Sequence, residues 1–137
     1  PDLDAGRLPA VAFVKFGEAD EHPGRNLVAG QQAVVDLVTR IQKSSAWAST
    51  LIVITYDENG GRWDHVAPPV IPGDPWGPGT RVPLILVSPF VKRRFVDHTR
   101  YETVSVLRFI EDRWKLAPLG TRDAQANSFD AAFDPTR

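Results

Sequence analysis

At 137 residues, 42% of them hydrophobic, the chain has enough apolar material for one core and divides into one compact domain more naturally than two. Sixteen basic residues against seventeen acidic ones leave a net charge of −1 with no basic block, which excludes nucleic-acid binding through a broad electrostatic footprint. Cysteine is absent, so disulfides, thiolate metal sites and cysteine nucleophiles are excluded, and no apolar run approaches the about 18 residues of a membrane span.

The sequence holds no methionine and opens on Pro1-Asp2-Leu3-Asp4, which predicts a processed piece or a fragment of something larger. Residues 9–16 read as a short apolar strand, followed by a polar loop with Gly17, Pro23 and Gly24 as breakers. From Leu27 to Ile41 the apolar residues Leu27, Val34, Leu37, Val38 and Ile41 fall mostly three and four apart, the spacing of an amphipathic helix. Thr50 to Tyr56 is uncharged and rich in β-branched residues, which suits a strand buried on both faces of a largely parallel sheet. Strand, helix and strand then form a βαβ unit with a right-handed crossover, and the fold class is α/β with helices flanking the sheet.

From Val66 to Thr80 prolines and glycines rule out a helix and predict a surface loop. Residues 81–90 give a third buried strand, with Pro83 near its start and Pro89 closing it. Thr99 to Glu102 has the spacing of a capping box for a helix that runs to about Trp114, with Val106, Leu107, Ile110 and Trp114 on one face. After Leu116 there is no sustained period, and the tail is expected to wander over the surface.

The chemistry concentrates where the Thr50–Tyr56 strand ends. Asp57 and Glu58 fall at its carboxyl end, the edge at which open α/β sheets place ligands. Asn59-Gly60-Gly61 supplies the backbone freedom to turn either carboxylate toward a cleft. The plainer alternative is a hairpin turn at Asn59-Gly60 with solvated acids beside it. Asp64 and His65 return soon after, so carboxylates and an imidazole can converge; oxygen and nitrogen donors without thiolate suit Zn, Mn, Mg or Ca. For Asp64 a structural ion pair is the common alternative. His22 follows the first predicted strand and offers a second imidazole, whereas His98, beside Asp97, suits a role in starting the helix as well as one in a site. Arg81 reads as a salt-bridging or snorkelling residue, Ser88 lacks the Gly-x-Ser-x-Gly surround of a nucleophile, and Trp63 can wall a pocket.

Three segments together resemble one family, the bacterial and plant phosphoesterases that include non-specific phospholipase C and the phospholipase-C-like acid phosphatases. The first is Thr55-Tyr56-Asp57-Glu58-x-Gly60-Gly61-x-x-Asp64-His65-Val66-x-Pro68-Pro69; the second is Gly79 to Pro83 with Ser88-Pro89; the third is Asp97-His98-Thr99 with Ser105 to Glu111. Leu8-Pro9 and Glu21-His22-Pro23 extend the likeness over most of the chain.

The resemblance implies an alkaline-phosphatase-like α/β sandwich, a divalent metal, and hydrolysis of a phosphomonoester or phospholipid by a secreted or periplasmic enzyme. It makes Asp57 and Glu58 metal ligands and places His22 and His65 at the phosphate pocket, with Asp64 and His98 as further candidates. The family's opening block, which carries further metal ligands, and its later Ser or Thr nucleophile have no counterpart here. Residues 1–137 are therefore expected to be the carboxyl-terminal portion of a single phosphoesterase domain. The amino-terminal part of the same enzyme would be a partner, and self-association of the isolated piece is expected through surfaces that part would cover.

Overall fold

A computed structural model describes residues 2–136. Its elements in chain order are helix α1 (Leu27–Gln42), a 3₁₀ turn (Ser45–Ser49), strands β1 (Ile52–Thr55) and β2 (Leu84–Val87), helices α2 (Ser105–Trp114) and α3 (Thr121–Gln125), and a 3₁₀ turn (Phe129–Ala132). The chain divides into two compact units, one running to Val53 and including Val87–Pro89, the other made of Ile54–Leu86 and everything from Phe90 onward.

In the first unit α1 begins where the sequence spacing places it. The Asn26 side chain caps it by accepting the Val28 and Ala29 N–H groups at 3.0 and 3.2 Å, which satisfies two donors a helix start leaves unpaired. Arg40 in the last turn pairs with Asp4, tying the amino-terminal segment to the helix. Gly30 is the buried residue of α1 because Glu21 lies against it: a Cβ at position 30 would stand 2.2 Å from Glu21 Cγ. Residues 9–16 do not form the predicted strand. They have no ladder neighbour among the described residues, and Phe13 and Val14 stand 80% and 61% exposed.

β1 and β2 pair as a two-stranded antiparallel sheet. Thr55 Oγ1 donates to Pro83 O at 2.9 Å, joining the end of one strand to the start of the other. The expected βαβ unit and largely parallel sheet are therefore not seen among the described residues, because the first of its strands is not formed and the other two run in opposite directions.

The second unit holds the buried apolar residues found among the described residues, at the tail expected to wander. Phe129 is 1% exposed and Ala132 6%. The Phe129 ring meets Tyr101 edge-on at 5.3 Å and Phe109 at 5.6 Å, and Phe109 stacks on Phe133 at 5.7 Å. Backbone bonds stitch this segment to the chain after β2, from Lys92 N to Ala132 O at 2.8 Å and from Asp134 N to Phe90 O at 2.9 Å. A tail without helical period can still be core when single aromatic residues, rather than a stripe, carry the burial.

α2 starts at Ser105, later than the predicted capping box allows. Asp97 Oδ1 accepts the Thr99 N–H at 2.9 Å and Asp97 Oδ2 accepts the Tyr101 hydroxyl at 2.8 Å, so Thr99 serves an Asp97 turn instead of capping a helix. Seating the Tyr101 ring against Phe129 delays the helix until Ser105, whose Oγ accepts the Glu102 N–H at 3.1 Å. At its far end Lys115 takes a left-handed conformation (φ 55°), and the Lys115 and Leu116 N–H groups close on Glu111 O. Among the described residues no helix is long and apolar enough to cross a membrane.

Candidate functional site

Beyond β1 the backbone reverses over Asn59–Arg62. Gly60 and Gly61 have φ of 63° and 69°, a left-handed pair that a side chain would strain, and Arg62 N donates back to Asn59 O at 3.1 Å. Asn59 fixes the turn from inside: its Oδ1 accepts the Gly61 N–H at 2.9 Å, while its amide nitrogen donates to Arg62 O at 3.2 Å and to Thr80 Oγ1. The turn does not make a tight hairpin, since residues 63–83 form no strand and β1 pairs with β2 beyond them.

Asp57 and Glu58 are both exposed beside this turn, and Glu58 Oε2 accepts the Gly60 N–H. Asp64 is held elsewhere. Arg81 grips its carboxylate with two parallel bonds, Nε to Oδ2 at 2.9 Å and Nη2 to Oδ1 at 2.8 Å, and the Arg81 N–H adds a third at 3.2 Å. The guanidinium, with backbone N–H bonds from Arg81 and Val66, holds the Asp64 carboxyl far below the usual carboxylate range. Asp64 is thus an ion-pair partner, and Arg81 faces that carboxylate.

His65 is exposed and lines a pocket of about 340 Å³ formed by residues 62–68 and Thr80. Trp63, 84% exposed, walls it on the solvent side as the sequence allows. His98 is exposed, and Asp97 does not hold it: the Asp97 oxygens go to Thr99 and Tyr101. Burial pushes the Tyr101 hydroxyl up to about 12, aided by its bond to Asp97. His22 lies in the first unit, where its N–H donates to Asp20 Oδ1 at 3.2 Å and its Nδ1 sits 3.1 Å from Pro23 O.

Asp57 and Glu58 supply the hard oxygen donors that Zn, Mn, Mg or Ca accept, but two carboxylates fall short of the about four to eight ligands such ions take. Among the described residues no group of three or more His, Asp or Glu is close enough to hold an ion. The pair therefore fits a divalent ion only with ligands from beyond these residues.

The Phosphoesterase family matches residues 1–117. The chain belongs to that family. Among similar phosphoesterase sequences, non-specific phospholipase C6 of Arabidopsis thaliana is 30% identical over 94% of this chain, and phospholipase C B of Mycobacterium tuberculosis (strain H37Rv) is 31% identical over 97%. A non-hemolytic phospholipase C of Burkholderia pseudomallei is 34% identical over 82%. The chain spans 31%, 31% and 20% of the lengths of these three relatives.

Sequence reasoning gave Thr80 no role and, though it read Arg81 as a salt-bridging residue and Asp64 as a candidate ion-pair member, did not join the two. Thr80 anchors Asn59, and Arg81 is the counter-ion of Asp64. The usable signal is their adjacency: Thr80-Arg81 ends the proline-rich loop that begins after Asp64-His65, so both loop ends carry polar residues able to meet.

Proposed function

We propose that this chain carries one side of the active site of a metal-dependent phosphoesterase that hydrolyses a phosphomonoester or phospholipid. The observation that carries the reading is the side-by-side exposure of Asp57 and Glu58 at the end of β1, inside the Thr55–Pro69 block of a phosphoesterase-family chain. In this reading residues 1–137 are the carboxyl-terminal portion of one alkaline-phosphatase-like domain, and the remainder of that domain completes a largely parallel sheet. The enzyme is secreted or periplasmic.

Asp57 and Glu58 are the metal ligands. Such an ion, when bound, polarises a phosphoryl oxygen and lowers the pKa of a hydroxyl nucleophile. That nucleophile is a Ser or Thr outside this chain, which forms a covalent phosphoenzyme. His65, in the pocket at the foot of the loop, and His22 stabilise charge or protonate the leaving oxygen, work suited to imidazole. Asp64 acts through its ion pair with Arg81, holding the backbone beside His65. His98 is a further candidate without an assigned step.

The test is Asp57→Asn in the full-length enzyme, assayed on p-nitrophenyl phosphate and on its phosphocholine ester. Turnover is expected to disappear on both; retained activity overturns the assignment.

A second reading, favoured by the chain's spanning only 20–31% of its relatives' lengths, is a metal- or phosphate-binding domain without turnover. Mixing the purified chain with an amino-terminal fragment separates the two: restored hydrolysis supports a split enzyme, and metal binding without hydrolysis supports the binding domain. The exposed Phe13, Val14, Val28 and Ile85 support association of the isolated chain with itself or with the rest of the enzyme. Light scattering should find dimers or larger species, and a monodisperse monomer counts against that.

A further inference from the structure

Two carboxyl groups outside the candidate site lie together where α2 ends and α3 begins. Glu111 on α2 is 6% exposed and Asp123 on α3 is 5% exposed, and both carboxyl groups converge on one donor, the Leu119 N–H. Asp123 binds the turn between the helices: Oδ2 accepts the Leu119 N–H at 2.7 Å and Oδ1 accepts the Gly120 N–H at 2.9 Å. Glu111 Oε1 has only a long contact, 3.4 Å, to the Leu119 N–H. Its Oε2 is buried and meets no N–H or O–H donor among the described residues.

Two ionised carboxylates placed this way repel, and an unpaired buried oxygen is costly. One proton removes both problems, because a neutral carboxyl donates its O–H to the neighbouring carboxylate. Asp123 is the partner that keeps its charge, since it has two N–H donors. The charged group acting on Glu111 from α2 is Arg108, whose guanidinium is already bound to Asp112 at 2.9 Å and to Ala124 O at 2.9 Å. From α3, Arg122 is engaged with Glu102 at 2.9 Å and Asp74 at 3.1 Å.

We infer that Glu111 and Asp123 share one proton in the folded chain, and that this proton latches α3 and the Leu119–Gly120 turn onto the end of α2. Losing it opens the latch. The opening reaches the proline-rich loop, because Arg122 on α3 holds Asp74, and Asp74 Oδ1 in turn accepts the Trp76 and Gly77 N–H groups at 3.0 Å each. The device thus makes the order of residues 66–80 depend on pH.

The sign follows from each partner. Burial, with the Asp123 carboxylate beside it, raises Glu111, so the stability it contributes is full below the ordinary glutamate value of 4.5 and is lost as pH rises through the raised one. Burial alone would raise Asp123, but the Leu119 N–H, the Glu111 carboxyl and the Gly120 N–H together hold it low; its contribution is lost as pH falls.

The experiment is a ¹³C carboxyl titration of the chain's five glutamates, together with amide exchange and urea midpoints against pH for wild type and Glu111→Gln. One glutamate, assigned as Glu111, should titrate above the other four. Across that same titration the Leu119, Gly120, Trp76 and Gly77 amides should exchange at least tenfold faster and the urea midpoint should fall. Glu111→Gln keeps a donor to Asp123 but cannot ionise, so it should abolish the alkaline fall. A Glu111 that titrates with the other glutamates overturns the inference, and so does a Glu111→Gln profile parallel to wild type. Should Glu111→Gln not fold, the wild-type titration and exchange decide alone.

Discussion

Replacing Phe129 by alanine tests the claim that the last twenty residues seal the second unit. Phe129 is 1% exposed and its ring contacts Tyr101 and Phe109 at 5.3 and 5.6 Å. Removing a fully buried phenylalanine costs about 3–5 kcal/mol, and two favourable ring pairings place this site in the upper half of that range. Against a domain stability of roughly 5–15 kcal/mol, that is about a quarter or more of the total, and at the lower end of the range it brings the unit to its unfolding threshold. Leu119 makes the control, because it is close in sequence yet 83% exposed, and Leu119→Ala should stay within about 0.5 kcal/mol. Both are read from urea unfolding followed by near-ultraviolet circular dichroism, which reports the aromatic cluster directly. A Phe129→Ala loss below about 1 kcal/mol, or one no larger than that of Leu119→Ala, refutes the reasoning. The family match stops at residue 117, so a chain cut there retains the matched residues while losing Phe129, and it should unfold without a cooperative transition.

Gly30→Ala gains about 1 kcal/mol of helix propensity but sets a Cβ 2.2 Å from Glu21 Cγ, an overpacking that costs about 1–3 kcal/mol. A net loss of about 1 kcal/mol is expected alone and a net gain in a Glu21→Ala background; thermal melts showing the same sign in both would sink the packing argument. Asp64→Asn breaks the two parallel bonds to Arg81 and should lower the urea midpoint at neutral pH. The Asp64 carboxyl is depressed, so its stabilisation is present above the ordinary aspartate value of 3.8 and lost as pH falls below it; the variant's midpoint should therefore converge on wild type in acid, and a gap unchanged by pH would contradict the ion pair.

What was legible in the sequence was local. α1 is written in its three- and four-residue spacing, and β1 and β2 are written as uncharged apolar runs. The capping box at Thr99–Glu102 was a true local signal overridden by a distant one, since Tyr101 packs on Phe129, twenty-eight positions away, and Asp97 takes its hydroxyl. The tail was misread because aromatic residues spaced by four, Phe129 and Phe133, do not make a period until Phe109 and Tyr101 are known to face them. The antiparallel sense of β1 and β2 was illegible for a related reason: the loop between them is long enough to allow either direction, and the deciding contact is Thr55 to Pro83.

Much of the site does structural work. Gly60 and Gly61 make the turn, Asn59 reaches Thr80, and Asp64 is spent on Arg81. These bonds join the first family block to the second, so two stretches that look independent in sequence are tied together at the two ends of the proline-rich loop. The side chain of His65 has no hydrogen bond among the described residues, although its neighbour Asp64 is fixed by three. An exposed imidazole on a clamped backbone, lining a pocket, is not tied up by the fold, which is what the proposed role in charge stabilisation or leaving-group protonation needs. That asymmetry, more than the motif's residue types, is why the proposed function gives the chemistry to His65 and leaves Asp64 in the frame that holds it.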